Sequence, residues 1–453
     1  MPSLPNGRIA AEKTRIDHHE SDVVIIGAGI LGCALAVALG RQGRSELLQP
    51  GGVQALEELG LRDCLDEIDA IPVKGYYVSY FGEPVVMDYP RSAFSSEPAP
   101  QGWIFHHGRF VMRLRTAAMA CPNVTVVEAK ATGLVTSTVT GQVLGVETKH
   151  REIKDCYFAQ LTVAADGYNS DIRKVHHPYR PKVRSRFWGL EMIDAELPSP
   201  YYGHVLSDNA PVLMYQIGAR ETRILVDVPE NIPSASVKEG GVKGYLQNKS
   251  LPALPESVQP AFLATLKEGK LRSMPNSFLP AAVNKTPGLM ILGDALNMRH
   301  PLTGGGMTVA LNDVCIIRKL LSLERVPSLS DTRFVLKQLS AFHWIRKNSS
   351  SVINILAQAL YMLFAADNQN LKALQRGCFH YFQIGMVDGP IGLLAGLIKQ
   401  ATDGPVLPFF LCRLPLHLDS VPRYALDALH SIPIPVHYGA LDGLRCHFPV
   451  YMG

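Results

Sequence analysis

An α/β fold built around a Rossmann-like, dinucleotide-binding sheet is what the 453 residues predict. Three strand–turn–helix junctions predict it. The first is Asp22-Val23-Val24-Ile25-Ile26 followed by Gly27-Ala28-Gly29-Ile30-Leu31-Gly32. The second is the apolar run 161–165 leading into Asp166-Gly167. The third is the apolar run 289–292 leading into Gly293-Asp294 and then to Gly304-Gly305-Gly306.

In the first junction a GxGxxG stands directly after a buried strand and before a helix at 30–40. Gly27 allows the tight turn, Gly29 lets the backbone approach a pyrophosphate, and Gly32 lets helix and strand pack closely. The helix N-terminus then offers free N–H groups and a partial positive charge to phosphates. A tight structural turn uses the same glycines, and it is the strand–turn–helix context that favours a dinucleotide.

The second junction reads D-G-x-x-S-x-x-R, with Asp166 and Gly167 at a strand end and Ser170 and Arg173 on the first turn of a helix. Arg173 can hold the loop through carbonyls or through Asp166; an ordinary Asx turn fits as well. In the third, Asp294 at a strand end can accept hydrogen bonds from ribityl hydroxyls. Gly304, Gly305 and Gly306 open a helix at Met307, so their N–H groups can face the oxygen-rich edge of a ring or its phosphates; close packing alone also selects glycine there. NAD-dependent dehydrogenases carry one such motif, whereas flavin monooxygenases carry further ones downstream.

The intervening pattern divides the chain into a polar tail (1–21), a first part of the dinucleotide domain with inserted strands (22–183), a β-rich substrate domain (184–280), the second part of the dinucleotide domain (281–332) and a helical C-terminal region (333–453). Helical patterns are read at 53–69 and 109–119. Strands are read at 73–90 and 124–128, and a β-meander over 134–165. With 47% apolar and 19% charged residues the chain supports a large core. The formal charge of +4 is too small for a nucleic-acid surface. Eight scattered cysteines form no CxxC pair and no zinc spacing, so they read as reduced, buried thiols, and no metal is implied. The first 21 residues hold no apolar core of a signal peptide, and no run of about 18 apolar residues predicts a spanning helix. The stretches 352–366, 390–398 and 405–412 are apolar but short. They read either as helices lying in a membrane interface or as buried helices closing a cavity.

The order GxGxxG, DG, GD resembles the single-component flavin monooxygenases with the aromatic-hydroxylase fold. Two stretches are more specific. Asn297-Met298-Arg299-His300-Pro301-Leu302-Thr303-Gly304-Gly305-Gly306-Met307-Thr308 and Glu46-Leu47-Leu48-Gln49-Pro50-Gly51-Gly52 resemble signatures of the squalene epoxidases. His106-His107-Gly108-Arg109-Phe110 and 271–276 add to the match, which covers roughly residues 22–400. The resemblance implies an FAD-binding domain of the aromatic-hydroxylase type, a β-sheet substrate domain and a membrane-associated helical region. It implies epoxidation of squalene to 2,3-oxidosqualene with FAD, O₂ and electrons from NADPH through a separate NADPH–cytochrome P450 reductase. It places FAD contacts at Ile30, Leu31, Arg115, Ala131, Asp294 and Met307. It puts Tyr76 and Gln49 near the reactive face of the flavin, joined by a hydrogen bond. It implies monotopic attachment to the endoplasmic reticulum membrane, facing the cytosol, with lipid droplets as a second location. Two rivals stand beside it: a flavin epoxidase of another prenyl chain, and a non-catalytic relative that binds lipid or a partner.

One departure is local. In the family a second strand, an acidic residue for the adenosine ribose and a following arginine stand between the counterparts of Arg44 and Glu46; here only Ser45 does. The sequence therefore predicts a sheet short of one strand and a weakened adenosine site. Two origins fit: a strand–loop unit dropped in translating the gene, favoured by the clean junction between two intact motifs, or a natural variant.

Overall fold

The computed structural model describes residues 20–40, 47–91, 98–385 and 388–397, all within the compact unit Met1–Arg413. The expectations for the N-terminal tail, for the stretch 405–412 and for Cys412 and Cys446 lie outside these residues. In chain order the strands are β1 (Glu20–Ile26), β2 (Leu47–Leu48), β3 (Ile71–Val73), β4 (Gly75–Tyr80), β5 (Glu83–Asp88), β6 (Gly102–Ile104), β7 (Lys130–Thr136) and β8 (Val143–His150). They continue with β9 (Ile153–Ala164), β10 (Lys182–Ile193), β11 (Tyr202–Leu206), β12 (Val212–Gln216), β13 (Glu221–Pro229), β14 (Arg272–Phe278) and β15 (Leu289–Ile291).

The first sheet is organised by β9. Its first half closes the antiparallel meander β7–β8–β9, and its second half runs parallel to β1 on one side and to β15 on the other. Ile26 and Ile291 both stand level with Ala164, so the carboxyl ends of three parallel strands lie side by side. Leu161, Val163, Leu289, Met290 and Ile291 are buried, the continuous apolar run expected of a strand covered on both faces. The helix Ile30–Gly40 packs on the helices Gly306–Leu320 and His107–Met119.

The strand expected at 124–128 does not form. These residues carry no regular structure, and Val126 and Val127 are 44% and 47% exposed. β-Branched residues favour a strand only where a neighbouring strand offers a ladder, and none of the described strands pairs with them. The helical pattern at 53–69 resolves into the helix Pro50–Glu58 and a 3₁₀ turn at Arg62–Leu65.

The second sheet has seven strands in the order β14-β10-β13-β12-β11-β4-β5. Its β4–β5 hairpin comes from the N-terminal part of the chain and joins through the parallel pair β4–β11. Side chains alternate across it. Tyr77, Val205, Met214 and Val226 pack under Tyr245, Leu246, Phe262 and Leu266 on one face, while Tyr76, Tyr202 and His204 group on the other. A small third sheet, β2-β6-β3, carries the residues just before Gln49.

The helix Thr332–Ala365 starts at Asp331, whose carboxylate accepts from the Arg333 and Phe334 N–H groups. Its apolar stretch is buried: Val352, Ile353, Leu356, Ala357, Leu360, Tyr361, Leu363 and Phe364 all pack inward. Of the two readings of 352–366, burial against the protein is the one observed. Ile391, Leu393, Leu394 and Ala395 are buried too, and the Gly51 N–H donates to the Ala395 carbonyl at 2.8 Å. No single described helix is long and apolar enough to cross a membrane. Thr332–Ala365 and Gln369–Gln383 pass that test only together, across a 111° bend.

Arg346 on the long helix donates Nε and Nη2 to the two carboxylate oxygens of Asp313, both at 2.9 Å and both side chains buried. This pair clamps the long helix to Gly306–Leu320, the helix that follows the triple glycine. Removing one partner strands a buried charge. Asp313→Ala is expected to cost roughly 3–5 kcal/mol, measured as a lowered urea midpoint. A midpoint unchanged from the parent protein would refute the clamp.

Candidate functional site

The three glycine junctions meet. A Cβ on Gly27 would lie 2.4 Å from the Ala165 carbonyl oxygen and 3.1 Å from the Asp166 nitrogen, so the first turn rests directly on the second motif. Gly27 has φ +110°, which a side chain would strain as well. A Cβ on Gly32 would lie 1.9 Å from the Gly27 carbonyl oxygen. Gly293 sits against buried Leu31, 3.2 Å from its Cδ1 by the same measure. Arg173 ties the second motif to the third. Its guanidinium donates to the carbonyls of Gly167 (3.4 Å), Asp294 (3.0 Å) and Tyr168. It is thus the carbonyls, not the Asp166 carboxylate, that receive its hydrogen bonds, and Ser170 caps the short helix by accepting from the Arg173 N–H at 3.0 Å.

The first turn leaves its backbone open to solvent. Ala28 and Gly29 are exposed, and nothing stands within 4 Å of a Cβ built on Gly29. Arg115 reaches this turn from the helix His107–Met119 and donates to the Ala28 carbonyl at 3.1 Å. Ile30, half-buried, packs on Cys33, Val111 and Leu114. Asp166 Oδ1 is buried with no partner, and burial raises its carboxyl above the usual range against the pull of Ser170 and Arg173. Asp294 is exposed, with protein packed around its carboxyl. Those surroundings raise it, while Arg299 and Arg173 lower it. Ala131 lies on β7 opposite Thr148.

The triple glycine is held from below and above. Gly304 has φ +63°, a Cβ on Gly305 would strike Ile353 Cγ2 at 2.7 Å, and one on Gly306 would come within 3.4 Å of Arg299 Nη1. Met307 stands on the first turn of the following helix, half-buried. Asn297 is the hub beneath. Its Nδ2 donates to the Leu279 carbonyl at 2.7 Å, and its Oδ1 accepts from Arg299 and Asn354, both at 3.0 Å.

Gln49 is fully buried and donates Nε2 to the Thr303 carbonyl at 2.8 Å, one residue before the triple glycine. Its Oε1 accepts from Tyr89, not from Tyr76, at 2.7 Å. The expected Tyr76–Gln49 contact is present as proximity, close enough for the amide to lower the Tyr76 pKa, while the hydrogen bond at 2.7 Å comes from Tyr89. The buried Tyr76 hydroxyl has no hydrogen-bond partner. Burial raises its pKa, and the nearby Gln49 amide opposes part of that rise. Tyr76 stands among Tyr89, Tyr202 and His204, with ring centroids 5.8, 6.1 and 6.1 Å away. Tyr202 Oη and His204 Nε2 lie 3.3 and 3.1 Å from the Leu302 carbonyl. Burial lowers the His204 pKa to about 4, so the ring is neutral near pH 7 and acts through an Nε2–H donor. Tyr76, Tyr89, Tyr202 and His204 thus form a buried aromatic cluster beside the loop that leads into the triple glycine, side chains suited to contact with an apolar chain. Tyr89, Tyr202 and His204 were not picked out by sequence; strand alternation on β4 and β11 was the signal that could have found the last two.

Comparison with known proteins agrees with this geometry. Residues 158–411 match the family model for squalene epoxidase. The squalene epoxidase erg1 of Aspergillus fumigatus is 70% identical over 409 residues, covering 86% of this chain and 85% of the relative. This chain belongs to the squalene epoxidase family. The squalene epoxidase ERG1 of Gibberella zeae is 46% identical, covering 88% of each chain, and squalene epoxidase 3 of Arabidopsis thaliana is 40% identical, covering 90% of this chain and 81% of the relative. Among solved structures, p-nitrophenol 4-monooxygenase PnpA of Pseudomonas putida matches 84% of this chain and 98% of its own at a TM-score of 0.66 and 17% identity. The flavin-dependent brominase Bmp2 matches 91% and 99% at 0.63 and 15%. The aromatic-hydroxylase fold is thus the one read from the sequence.

Tyr89→Phe leaves the Gln49 oxygen buried and unpaired, at an expected cost of about 1–3 kcal/mol. Tyr76→Phe removes a hydroxyl that has no partner and should shift stability by no more than about 0.5 kcal/mol. Urea denaturation of both variants decides which tyrosine holds Gln49; the reverse ranking would overturn the assignment.

Proposed function

We propose that this chain epoxidises squalene to 2,3-oxidosqualene with FAD and O₂, a step of sterol and triterpenoid synthesis. The observation that carries the reading is the meeting of three glycine junctions at the carboxyl edge of β1, β9 and β15, where open α/β sheets bind ligands. The buried aromatic cluster lies beside the loop that leads into the triple glycine. Gly27, Gly29, Gly32, Ile30, Leu31 and Arg115 hold the pyrophosphate side of FAD. Asp166, Asp294, Gly304, Gly305, Gly306 and Met307 hold the flavin side, where unpartnered Asp166 Oδ1 and the accessible Asp294 carboxyl suit hydroxyl donors. Ala131 contributes to the adenosine side. When bound, the flavin supplies the activation of O₂ for oxygen transfer to an alkene.

The chain's own residues orient and exclude. Gln49 fixes the Thr303 carbonyl and with it the approach to the triple glycine. Tyr76 keeps an uncommitted hydroxyl within the cluster, able to donate to oxygen as charge develops. The aromatic walls of Tyr76, Tyr202, His204 and Phe364 take an apolar chain and keep water out.

Electrons come from NADPH through a separate NADPH–cytochrome P450 reductase. The enzyme works at the surface of the endoplasmic reticulum membrane, facing the cytosol, and on lipid droplets, where its substrate dissolves. Exposed Phe81, at the tip of the β4–β5 hairpin, and exposed Ile384, after a helix that touches β5, support a membrane-facing patch. The test is product formation from squalene with the reductase and NADPH, run beside other polyprenyl alkenes. Squalene turnover is expected, and Tyr76→Phe should lower it while flavin occupancy stays unchanged. Turnover of another alkene alone would move the reading to that substrate.

A further inference from the structure

We infer that this chain is one strand short at the adenosine end of its cofactor site, so that it grips the flavin and its phosphate but draws little affinity from the adenosine. FAD and the smaller flavin mononucleotide then bind almost equally. The inference rests on the flavin reading above and adds to it which half of the cofactor this chain can hold.

Two unpartnered edges point to the gap. In the dinucleotide fold the strand before the GxGxxG is interior, flanked by the second strand in the order 3-2-1-4. Here β1 pairs with β9 on one side and, among the described residues, with nothing on the other. The Ile26 carbonyl accepts from the Ala165 N–H at 2.9 Å, so Ile26 and Val24 turn their main-chain groups toward β9. Val23 and Ile25 turn theirs to the open edge. Val23, Val24 and Ile25 are only half-buried, unlike their counterparts on β15.

The other edge is the segment 124–128, Val-Thr-Val-Val-Glu. It follows the helix His107–Met119, which packs on Ile30–Gly40, and Val124 rests on Val37, Ala118 and Cys121. That is the place of the third strand, yet no strand forms and Val126 and Val127 are left about half exposed. One added strand between β1 and this segment would pair both edges.

The sequence and the family supply the size and the chemistry of what is missing. The match to the Aspergillus fumigatus protein spans 409 positions but covers 86% of this chain's 453 residues, about 390. Summed over all gaps in the match, the relative thus holds about 19 residues that this chain lacks; a strand of about five or six residues and its loops fits within that total. The acidic residue that bonds the ribose hydroxyls stands at the end of the second strand. Residues 41–45 read Arg-Gln-Gly-Arg-Ser and hold no carboxylate, and Glu46 directly precedes β2, which pairs in a different sheet.

The test compares the full chain with a variant carrying, between Arg44 and Glu46, the residues that the Aspergillus fumigatus protein has there. FAD and flavin mononucleotide affinities are measured by calorimetry, and exchange of the Val23 and Ile25 amides by hydrogen–deuterium exchange. The chain as it stands is expected to bind the two flavins within about threefold, with both amides exchanging fast. The insertion should raise FAD affinity at least tenfold, leave flavin mononucleotide unchanged and protect both amides; changing the inserted acidic residue to its amide should undo the gain. A preference for FAD of tenfold or more in the uninserted chain, or slow exchange of Val23 and Ile25 there, overturns the inference, whether or not the variant folds. If the uninserted chain binds neither flavin, the retained grip on the flavin half is disproved. Recovery of both on insertion would then leave the proposed function standing, and a folded variant that stays empty would remove that as well.

Discussion

The contact on which the site depends is backbone against backbone: the Gly27 turn pressed onto the Ala165 carbonyl at the end of β9. Any side chain at Gly27 would force β1 and β9 apart, and with them the register that brings Ile26, Ala164 and Ile291 level. Gly293 repeats the device by lying against Leu31, and Arg173 then stitches the second and third motifs through carbonyl oxygens. Buried carbonyls at strand ends need donors, and one guanidinium serves several of them.

The loop before the triple glycine and the buried aromatic cluster are joined by a second layer of polar contacts. Gln49 binds the Thr303 carbonyl, while Tyr202 and His204 converge on the Leu302 carbonyl. His300 stacks on Tyr361 at 3.6 Å, and Tyr361 donates to buried Asp227 at 3.2 Å. Burial lifts the Asp227 pKa to about 6, and hydrogen bonds from Ser185, Tyr361 and Asn276 hold that rise back. The loop before the triple glycine is thereby fixed to the substrate sheet and the long helix at once.

The elements that sequence made legible are those whose cause is local. Glycines at φ +110° and +63° and caps such as Ser170 and Asp331 show in a few neighbouring residues. What stayed hidden depends on neighbours distant in the chain. Tyr89 reaches Gln49 across 40 residues, and nothing in its own surroundings marks it against Tyr76. The pattern at 124–128 is that of a strand, but a ladder needs a partner, and none of the described strands pairs with it. The apolar run 352–366 reads alike for a membrane interface and for a core; only the sheet and loops packed around it distinguish them.

A structure of the FAD-loaded protein tests the central claim most directly, that the three glycine junctions form one flavin site beside the aromatic cluster. The account predicts the isoalloxazine ring against Gly304, Gly305 and Gly306, with Asp294 beside the ribityl chain and the phosphates at Gly29. Flavin bound elsewhere, or a ring turned away from Gln49 and Tyr76, would contradict it.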